Sequence, residues 1–112
     1  GSRVGFFWEG GATVQVEITG RHFEMSDGLK EHIAEHIDKL RRYDDKIINV
    51  TVVLELDSGM YSGEVITKCH RSNLVAEADA HDPYDCANKV FAKMEHQVEK
   101  LHNKIVDKNP RG

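Results

Sequence analysis

The sequence predicts an α+β protein: a two-layer β-α-β-β-β-α sandwich in which a four-stranded mixed sheet carries both helices on one face. Two observations predict this fold. Four segments alternate apolar and polar residues, as half-buried strands do, and two longer segments repeat apolar residues at helical spacing. With 112 residues, the chain is long enough to bury one core without a disulfide or a metal.

The first strand and the first helix occupy residues 14–43. Apolar residues alternate with polar ones from Val14 to Gly20, which predicts a half-buried strand. Ser26 is a good N-cap, and the apolar residues after it recur every three or four positions to about Tyr43. These helical positions are Leu29, Ile33, Ile37 and Leu40.

Three further strands are predicted within residues 48–80. Turns rich in glycine and polar residues separate them at 58–63 and 71–73. The expected inward positions are Ile48, Val50, Val52, Leu54 and Leu56, then Val65, Thr67 and Cys69, then Leu74, Ala76, Ala78 and Ala80. The small alanines of the last strand leave room for a helix to pack closely.

A long helix closes the predicted fold. Asp82 is its N-cap, Pro83 suits its first position, and it ends at about Asp107, before Pro110. The first helix connects two strands that run parallel, and short turns make the last three strands an antiparallel meander. Each strand has one apolar face, so both helices cover the same side. By analogy of fold alone, α-β-β-β-α is also the arrangement of double-stranded-RNA-binding domains.

Residues 14–108 are predicted to form a single domain. Residues 1–13 are interpreted as a tag or leader that stays disordered, because Gly1-Ser2 is typical of a cleaved tag and the aromatic residues there lack periodicity. A functional aromatic arm is the alternative for this stretch. Residues 109–112 are predicted to be a tail.

A basic stripe runs along the predicted last helix, although the protein has a formal net charge of −4. At about 100° per residue, five cations fall within roughly 80° of one another, nearly opposite the apolar face. The members of this basic stripe are Lys89, Lys93, His96, Lys100 and Lys104. Glu95 and Glu99 lie at its edges rather than within it.

The distribution of charge favours a polyanionic partner. Residues 14–85 contain eight Lys and Arg against 15 Asp and Glu, whereas residues 86–112 contain six against three. Such asymmetry indicates that one surface faces a polyanion while the remainder keeps the protein soluble. The alternative is that the stripe is an ordinary solvated helix face.

The first helix and the loop before it offer a second set of cations. Lys30 and Arg41 fall within about 20° of each other on the flank of the apolar face, and Arg42 lies further round. Arg21 and His22 lie in the preceding loop. These side chains extend an RNA-binding track if that flank faces the second helix. Alternatively, Arg41 and Arg42 only stabilise the C-terminus of their helix.

Several segments resemble the ribosome hibernation promoting factor family, which includes the ribosome-associated translation inhibitors and other sigma-modulation-type ribosomal subunit interface proteins. The opening Val14-Gln15-Val16-Glu17-Ile18-Thr19-Gly20 resembles the start of family members, with Val14 in place of the initiator Met. The match continues through Leu29-Lys30, Leu40 to Tyr43, Val50-Thr51-Val52-Val53-Leu54 and Asp82-x-Tyr84. Lys93-Met94-x-x-Gln97-Val98-x-Lys100 then resembles the family's Lys-Leu-x-Arg-Gln-Leu-x-Lys. The resemblance covers residues 14–105.

The resemblance implies a role in ribosome hibernation, a stress response of stationary phase. It implies binding to the small ribosomal subunit near the decoding region, where the protein excludes messenger and transfer RNA, often with pairing of ribosomes. By position, Lys93, Lys100 and Lys104 keep the family's role of contacting ribosomal RNA phosphates. His96 occupies the place usually taken by Arg, and the acidic balance of residues 14–85 is a second departure. Both departures lower the expected affinity for RNA.

The remaining residues favour no enzymatic activity, cofactor or metal. No nucleophile elbow, phosphate loop or nucleotide fingerprint is present. His32 and His36 lack a third ligand at recognisable spacing and are interpreted as surface or boundary histidines, and Asp44 as an ordinary turn acid. Cys69 and Cys86 are interpreted as buried free thiols. Without an apolar segment long enough to span a membrane or a secretion signal, the protein is predicted to be cytoplasmic.

A second class of function stays open at this point. The protein is alternatively a non-catalytic interaction module that forms a homodimer or binds an acidic partner. Its contact surface would be the open face of the sheet, opposite the helices. The residues expected on that face include Thr51, Val53, Ile66, Val75 and Glu77.

Overall fold

The computed structural model describes residues 2–7, 15–44 and 46–107, with side chains described for 15–44 and 46–104. The strands are β1 (Ser2–Phe7), β2 (Gln15–Arg21), β3 (Ile47–Asp57), β4 (Met60–Cys69) and β5 (Ser72–Ala80), and the helices are α1 (Asp27–Tyr43) and α2 (Pro83–Asp107). The strands form one sheet in the order β1-β2-β3-β4-β5. β2 and β3 run parallel, and the other neighbours are antiparallel.

The predicted two-layer sandwich is confirmed. β2 to β5 are the four predicted strands, and alternate residues of each pack with both helices in a single core. The sheet contributes Val16, Ile18, Val50, Val52, Leu54 and Val65, and the helices contribute Leu29, Ile33, Ile37, Leu40, Val90, Phe91, Met94 and Val98. Both helices therefore cover the same face. In the part of the chain described here, no helix is long and apolar enough to cross a membrane.

Side-chain hydrogen bonds begin both helices where the sequence predicts. Ser26 Oγ accepts the amide of Leu29 at 3.1 Å. Asp82 Oδ1 accepts the amides of Tyr84 and Asp85 at 2.7 and 3.3 Å. The first amides of a helix have no partner within it, so these bonds satisfy donors that would otherwise need water.

Small residues let α2 lie close to the sheet. A Cβ atom placed on Gly63 would come within 2.8 Å of Leu54 Cδ2 and 2.9 Å of Cys86 Sγ. The predicted inward alanines of β5 are buried, namely Ala76, Ala78 and Ala80. The close contact predicted for the last helix is therefore present, and it extends to β4 as well as β5.

The prediction that residues 1–13 are disordered is wrong for β1. Ser2–Phe7 forms an antiparallel strand along β2, with Ser2 opposite Gly20 and Phe7 opposite Gln15. Without this strand, β2 would be the edge of the sheet and would expose a row of unpaired backbone groups. Pairing of those groups explains why a segment without hydrophobic periodicity joins the sheet. Residues 8–14 and the predicted tail 109–112 lie outside the described residues, and the tag origin stays a prediction.

One strand position was also predicted incorrectly. Ile48 was expected to face inward, but it is 50% exposed, whereas Ile47 is 3% exposed. The register between β3 and β4 shifts at this point, because Ile47 pairs with Cys69 and Asn49 pairs with Lys68. An extra residue in one strand of a pair is a β-bulge, and it reverses the inward and outward alternation beyond it.

Candidate nucleic-acid interface

The basic stripe lies on the exposed side of α2. All five of its side chains are solvent-exposed. The opposite side of the helix is anchored in the core by Val90, Phe91, Met94 and Val98, each fully buried. The rigid packing of one face therefore holds the cations of the other face in a fixed row, as the helical spacing predicts.

The stripe runs beside the outer edge of β5. Lys93 Nζ donates to the carbonyl oxygen of Glu77 at 2.8 Å, and Gln97 Nε2 donates to that of Val75 at 2.6 Å. β5 is the last strand of the sheet, so these carbonyls have no neighbouring strand to pair with. Side chains of α2 thus protect the edge. Lys93 keeps its other ammonium hydrogens for an external acceptor.

Few carboxylates lie close enough to the basic stripe to neutralise its charge. Lys89 Nζ lies 3.6 Å from Asp85 Oδ2, with side chains 55% and 54% exposed, so this pair is weak. Within the described side chains, the other four members of the stripe form no ion pair. The stripe is therefore available to a polyanion.

Lys30 and Arg41 do not lie on the flank of α1 that faces α2. The Nε2 atoms of His32 and His36 each lie 2.8 Å from Oδ1 of Asn88 on α2. At about 100° per residue, Lys30 and Arg41 project roughly 120–180° away from these histidines. The condition for one continuous track across both helices is therefore not met. The two cations lie at the outer flank of the helical layer, remote from the basic stripe.

The other three predicted RNA contacts also lie apart from the stripe. Arg42 is exposed, and its Nη2 lies 3.1 Å from Asp38 Oδ2 on the same helix. Arg21 aligns with Glu55 in the neighbouring strand, and His22 Nε2 lies 3.7 Å from Glu55 Oε2. Because Arg21 follows the inward-facing Gly20, it projects from the open face of the sheet.

That open face is acidic. Outward positions of adjacent strands align in rows, so that Glu55, Ser62 and Asp79 share one row with Arg21. Among the described side chains, the carboxylates of the open face are Glu17, Glu55, Asp57, Glu64, Glu77 and Asp79, against the cations Arg21 and Lys68. An acidic partner, or a second copy of the same face, would meet like charges here. The charge of the open face therefore disfavours the homodimer and the acidic partner of the alternative interaction-module hypothesis.

His32 and His36 are both partly buried between the two helices, so of the two interpretations, surface or boundary, they are boundary histidines. Their rings pack edge to face with centroids 4.9 Å apart, and His36 stacks on Phe91 at 5.0 Å. Nδ1 of His36 is buried without a hydrogen-bond partner, with Glu95 Oε2 at 4.0 Å. Because both imidazoles bond Asn88, these contacts add to the core packing that fixes the rotation of α2 about its axis and so the direction of the basic stripe.

A buried polar cluster was missed by sequence reasoning. Asp44, 4% exposed, accepts hydrogen bonds from His70 Nε2 at 2.7 Å, from His102 Nδ1 at 3.0 Å and from the Lys46 amide at 2.9 Å. Burial alone raises the pKa of Asp44, but these hydrogen bonds and the charge of His70 outweigh it, so the pKa is lowered. Asp44 does accept the amide two residues on, as a turn acid does, but the prediction missed its burial and its two histidine partners. The histidines lie 26 and 58 residues away in the sequence, and no local motif predicts such a contact.

Comparison with known proteins confirms the family resemblance. The family model described as Sigma 54 modulation protein / S30EA ribosomal protein matches residues 16–106. The chain is 26% identical over 91 residues to the ribosome hibernation promoting factor of Pseudomonas putida, covering 81% of this chain and 89% of that relative. It is 29% identical over 89 residues to the ribosome-associated factor Y of Haemophilus influenzae, covering 80% and 83%.

Two solved structures share the fold. The Protein Y N-terminal domain of Thermus thermophilus superposes with a TM-score of 0.71 at 23% identity, over 75% of this chain and 93% of that chain. A ribosomal subunit interface protein from Coxiella burnetii gives a TM-score of 0.69 at 22% identity, over 77% and 94%. These likenesses establish the architecture, and the family model covers nearly the whole of it. The chain belongs to the Sigma 54 modulation protein / S30EA ribosomal protein family.

Proposed function

We propose that this protein is a ribosome hibernation factor that occupies the decoding region of the small ribosomal subunit and keeps messenger and transfer RNA out. Family membership and the names of its relatives support an association with ribosomes in hibernation. The name of the Coxiella protein supports a site at the interface between subunits. The protein acts by occupancy rather than catalysis, and in the cytoplasm, where ribosomes are.

The basic stripe is the observation that carries this proposal. Its cations are exposed, almost free of carboxylate partners and aligned along one side of a helix anchored in the core. From Lys89 to Lys104 the row is about 22 Å long, since an α-helix rises about 1.5 Å per residue. A row of this length meets several phosphates of folded RNA at once. Phosphate contacts of this kind position a protein without reading sequence.

The first helix supplies a separate contact. Lys30, Arg41 and Arg42 lie on the flank and outer side of α1, away from the stripe, so they meet a different segment of RNA. Arg21 and His22 are left out of the RNA surface, because both lie beside Glu55 rather than on the helical layer. The RNA-binding surface is thus the helical layer, and the acidic sheet face points away from RNA.

A competition on small ribosomal subunits tests the decoding-region assignment. Vacant subunits should bind the protein, and subunits already carrying messenger RNA and initiator transfer RNA should exclude it. Chemical footprinting should show protection of nucleotides in the decoding region. Equal binding to both kinds of subunit would refute the proposed location, and no binding to vacant subunits would refute ribosome binding itself.

A pair of single charge reversals tests the basic stripe. Lys100→Glu and Arg21→Glu make the same change of charge at exposed positions, one on the stripe and one on the open sheet face. Loss of one phosphate contact lowers affinity about 10-fold at low salt, so Lys100→Glu should weaken subunit binding by at least that factor. Arg21→Glu should leave it within about 2-fold. Equal losses for the two variants would remove the stripe from the interface.

A further inference from the structure

We propose that Asp44, Cys69, His70 and His102 form a binding site for a transition-metal cation of the Zn²⁺ type. The four side chains come from the end of α1, the end of β4, the β4–β5 turn and α2. The site is distinct from the basic stripe, and its argument does not depend on the proposed function.

The ligand atoms already converge. The nearest ligand atoms of Asp44, Cys69 and His70 all lie within 4.8 Å of one another. His102 Nδ1 approaches the same carboxylate oxygen as His70 Nε2, at 3.0 and 2.7 Å. Asp44 and Cys69 are buried, and His70 is partly buried. A metal ion there would be enclosed by protein, as in structural sites.

The chemistry of the set fits zinc better than a hard cation. Thiolate, imidazole and carboxylate are the three ligand types of Zn²⁺, and four of them complete its tetrahedral shell. Ca²⁺ and Mg²⁺ require mostly oxygen ligands, which this site does not supply. In a tetrahedral site with bonds of about 2.0 Å, neighbouring nitrogen and oxygen ligands lie about 3.3 Å apart. The two imidazoles therefore need to move only a few tenths of an ångström away from the Asp44 oxygen. The Cys69 sulfur, which lies within 4.8 Å of the ligand atoms of Asp44 and His70, completes the site by a change of side-chain position.

The backbone directs His70 into the cluster. Cys69 pairs with Ser72, so His70 and Arg71 form a two-residue hairpin loop. His70 has a φ of 60°, in the left-handed region where glycine is usual. In this conformation the imidazole of His70 reaches Asp44, and the preceding residue is the buried Cys69. His102, whose side chain is 44% exposed, retains room to adjust to an ion.

The position of Cys69 is what distinguishes a metal site from a hydrogen-bond network that would only stabilise the fold. Asp44 and the two histidines could tie three elements together without any contribution from sulfur. Both cysteines are free and buried, as predicted, and burial raises the pKa of Cys69 to about 12, with Asp44 adding to the rise. Without a metal it is thus a neutral thiol. On binding, the ion loses water, the thiol releases its proton to solvent and a sulfur–metal bond forms.

Spectroscopy with Co²⁺ on the chelator-stripped full chain tests the proposal without ribosomes. Co²⁺ should give the intense visible absorption of a tetrahedral site and a near-ultraviolet thiolate charge-transfer band, and one equivalent of Zn²⁺ should abolish both. Excess Zn²⁺ should raise the Tm by about 10 °C at 100-fold over its Kd. A wild-type protein without a Zn²⁺-displaceable charge-transfer band would overturn the proposal.

The two buried cysteines provide matched variants. Cys69→Ser should lose the charge-transfer band and bind Zn²⁺ at least about 100-fold more weakly, whereas Cys86→Ser should keep both properties of the wild type. His102→Gln should weaken binding but retain the charge-transfer band, because the sulfur ligand stays. Circular dichroism in chelator checks that each variant is folded. A band that persists in Cys69→Ser would assign the metal elsewhere and overturn the site.

Discussion

Removal of charge from the basic stripe should flatten the salt dependence of ribosome binding. The perturbation is the triple variant Lys93→Gln, Lys100→Gln and Lys104→Gln, which changes exposed side chains and leaves the buried face of α2 intact. Glutamine at position 93 keeps a donor for the Glu77 carbonyl, so the sheet edge stays protected. Each lysine that reaches a phosphate releases condensed counterions, which makes binding weaker as salt concentration rises.

The structure sets the expected size of the effect. Lys89 is partly compensated by Asp85, so the three substituted lysines are those with uncompensated charge. Each phosphate contact contributes about −0.7 to −0.9 to the slope of log K against log salt concentration. The three lysines together therefore contribute about −2 to −3 to that slope. The same contacts contribute roughly 5- to 8-fold each at 0.1 M salt. The variant should therefore bind about 100- to 500-fold more weakly, equivalent to about 3–4 kcal/mol.

Fluorescence anisotropy with labelled protein and vacant small subunits measures both quantities over a series of salt concentrations. The double variant Arg21→Gln and Lys68→Gln removes two cations from the opposite, acidic face and should retain the wild-type slope. The reasoning fails if the triple variant retains the wild-type slope. It also fails if the double variant loses as much slope per charge removed as the triple variant does.

Three further predictions concern the stability of the fold, each measured by urea unfolding of the chelator-treated protein. Gly63→Ala should lower the free energy of unfolding by about 1–3 kcal/mol, because the new methyl group would clash with Leu54 and Cys86; an unchanged midpoint would contradict the close packing. Ser26→Ala should cost about 1 kcal/mol through the lost N-cap, and no loss would contradict the cap. Asp44→Asn should cost about 1–3 kcal/mol at pH 7. Because the folded-state pKa of Asp44 is lowered, its stabilisation is present above about pH 4 and is lost as pH falls through the lowered pKa, so wild type and variant should converge in acid.

The secondary structure was predictable where periodicity and caps are local. Ser26 and Asp82 begin their helices as expected, since each cap bonds amides within the next three residues. The bulge at Ile48 was not predictable, because an alternating pattern shows which residues share a face only while the register is unbroken. β1 was missed for a related reason. It forms hydrogen bonds with the backbone groups at the edge of β2, and its own sequence has no alternation of apolar and polar residues that would predict a strand.

The candidate binding surfaces also divide into features that local sequence predicts and features that depend on how the elements pack. Helical spacing placed the stripe from Lys89 to Lys104 on one side of α2, and the structure leaves that side exposed. Spacing could not tell which flank of α1 meets α2, and His32 and His36 occupy that flank instead of Lys30. The contact between Asp44 and His102 joins residues 58 positions apart, so no pattern within either segment contains it.

By itself, the sequence determined β2 to β5, both helices and their order. Apart from the bulge at Ile48, it also determined the apolar side of each, together with a row of cations opposite the core of the last helix. Tertiary structure decided what lies beside that row and which cations stay apart from it. It also brought a buried carboxylate into hydrogen bonds with two histidines and placed a cysteine nearby. The physical reason is that side-chain periodicity specifies direction relative to a single element's own axis. The rotation and position of one element against another follow only from packing them together.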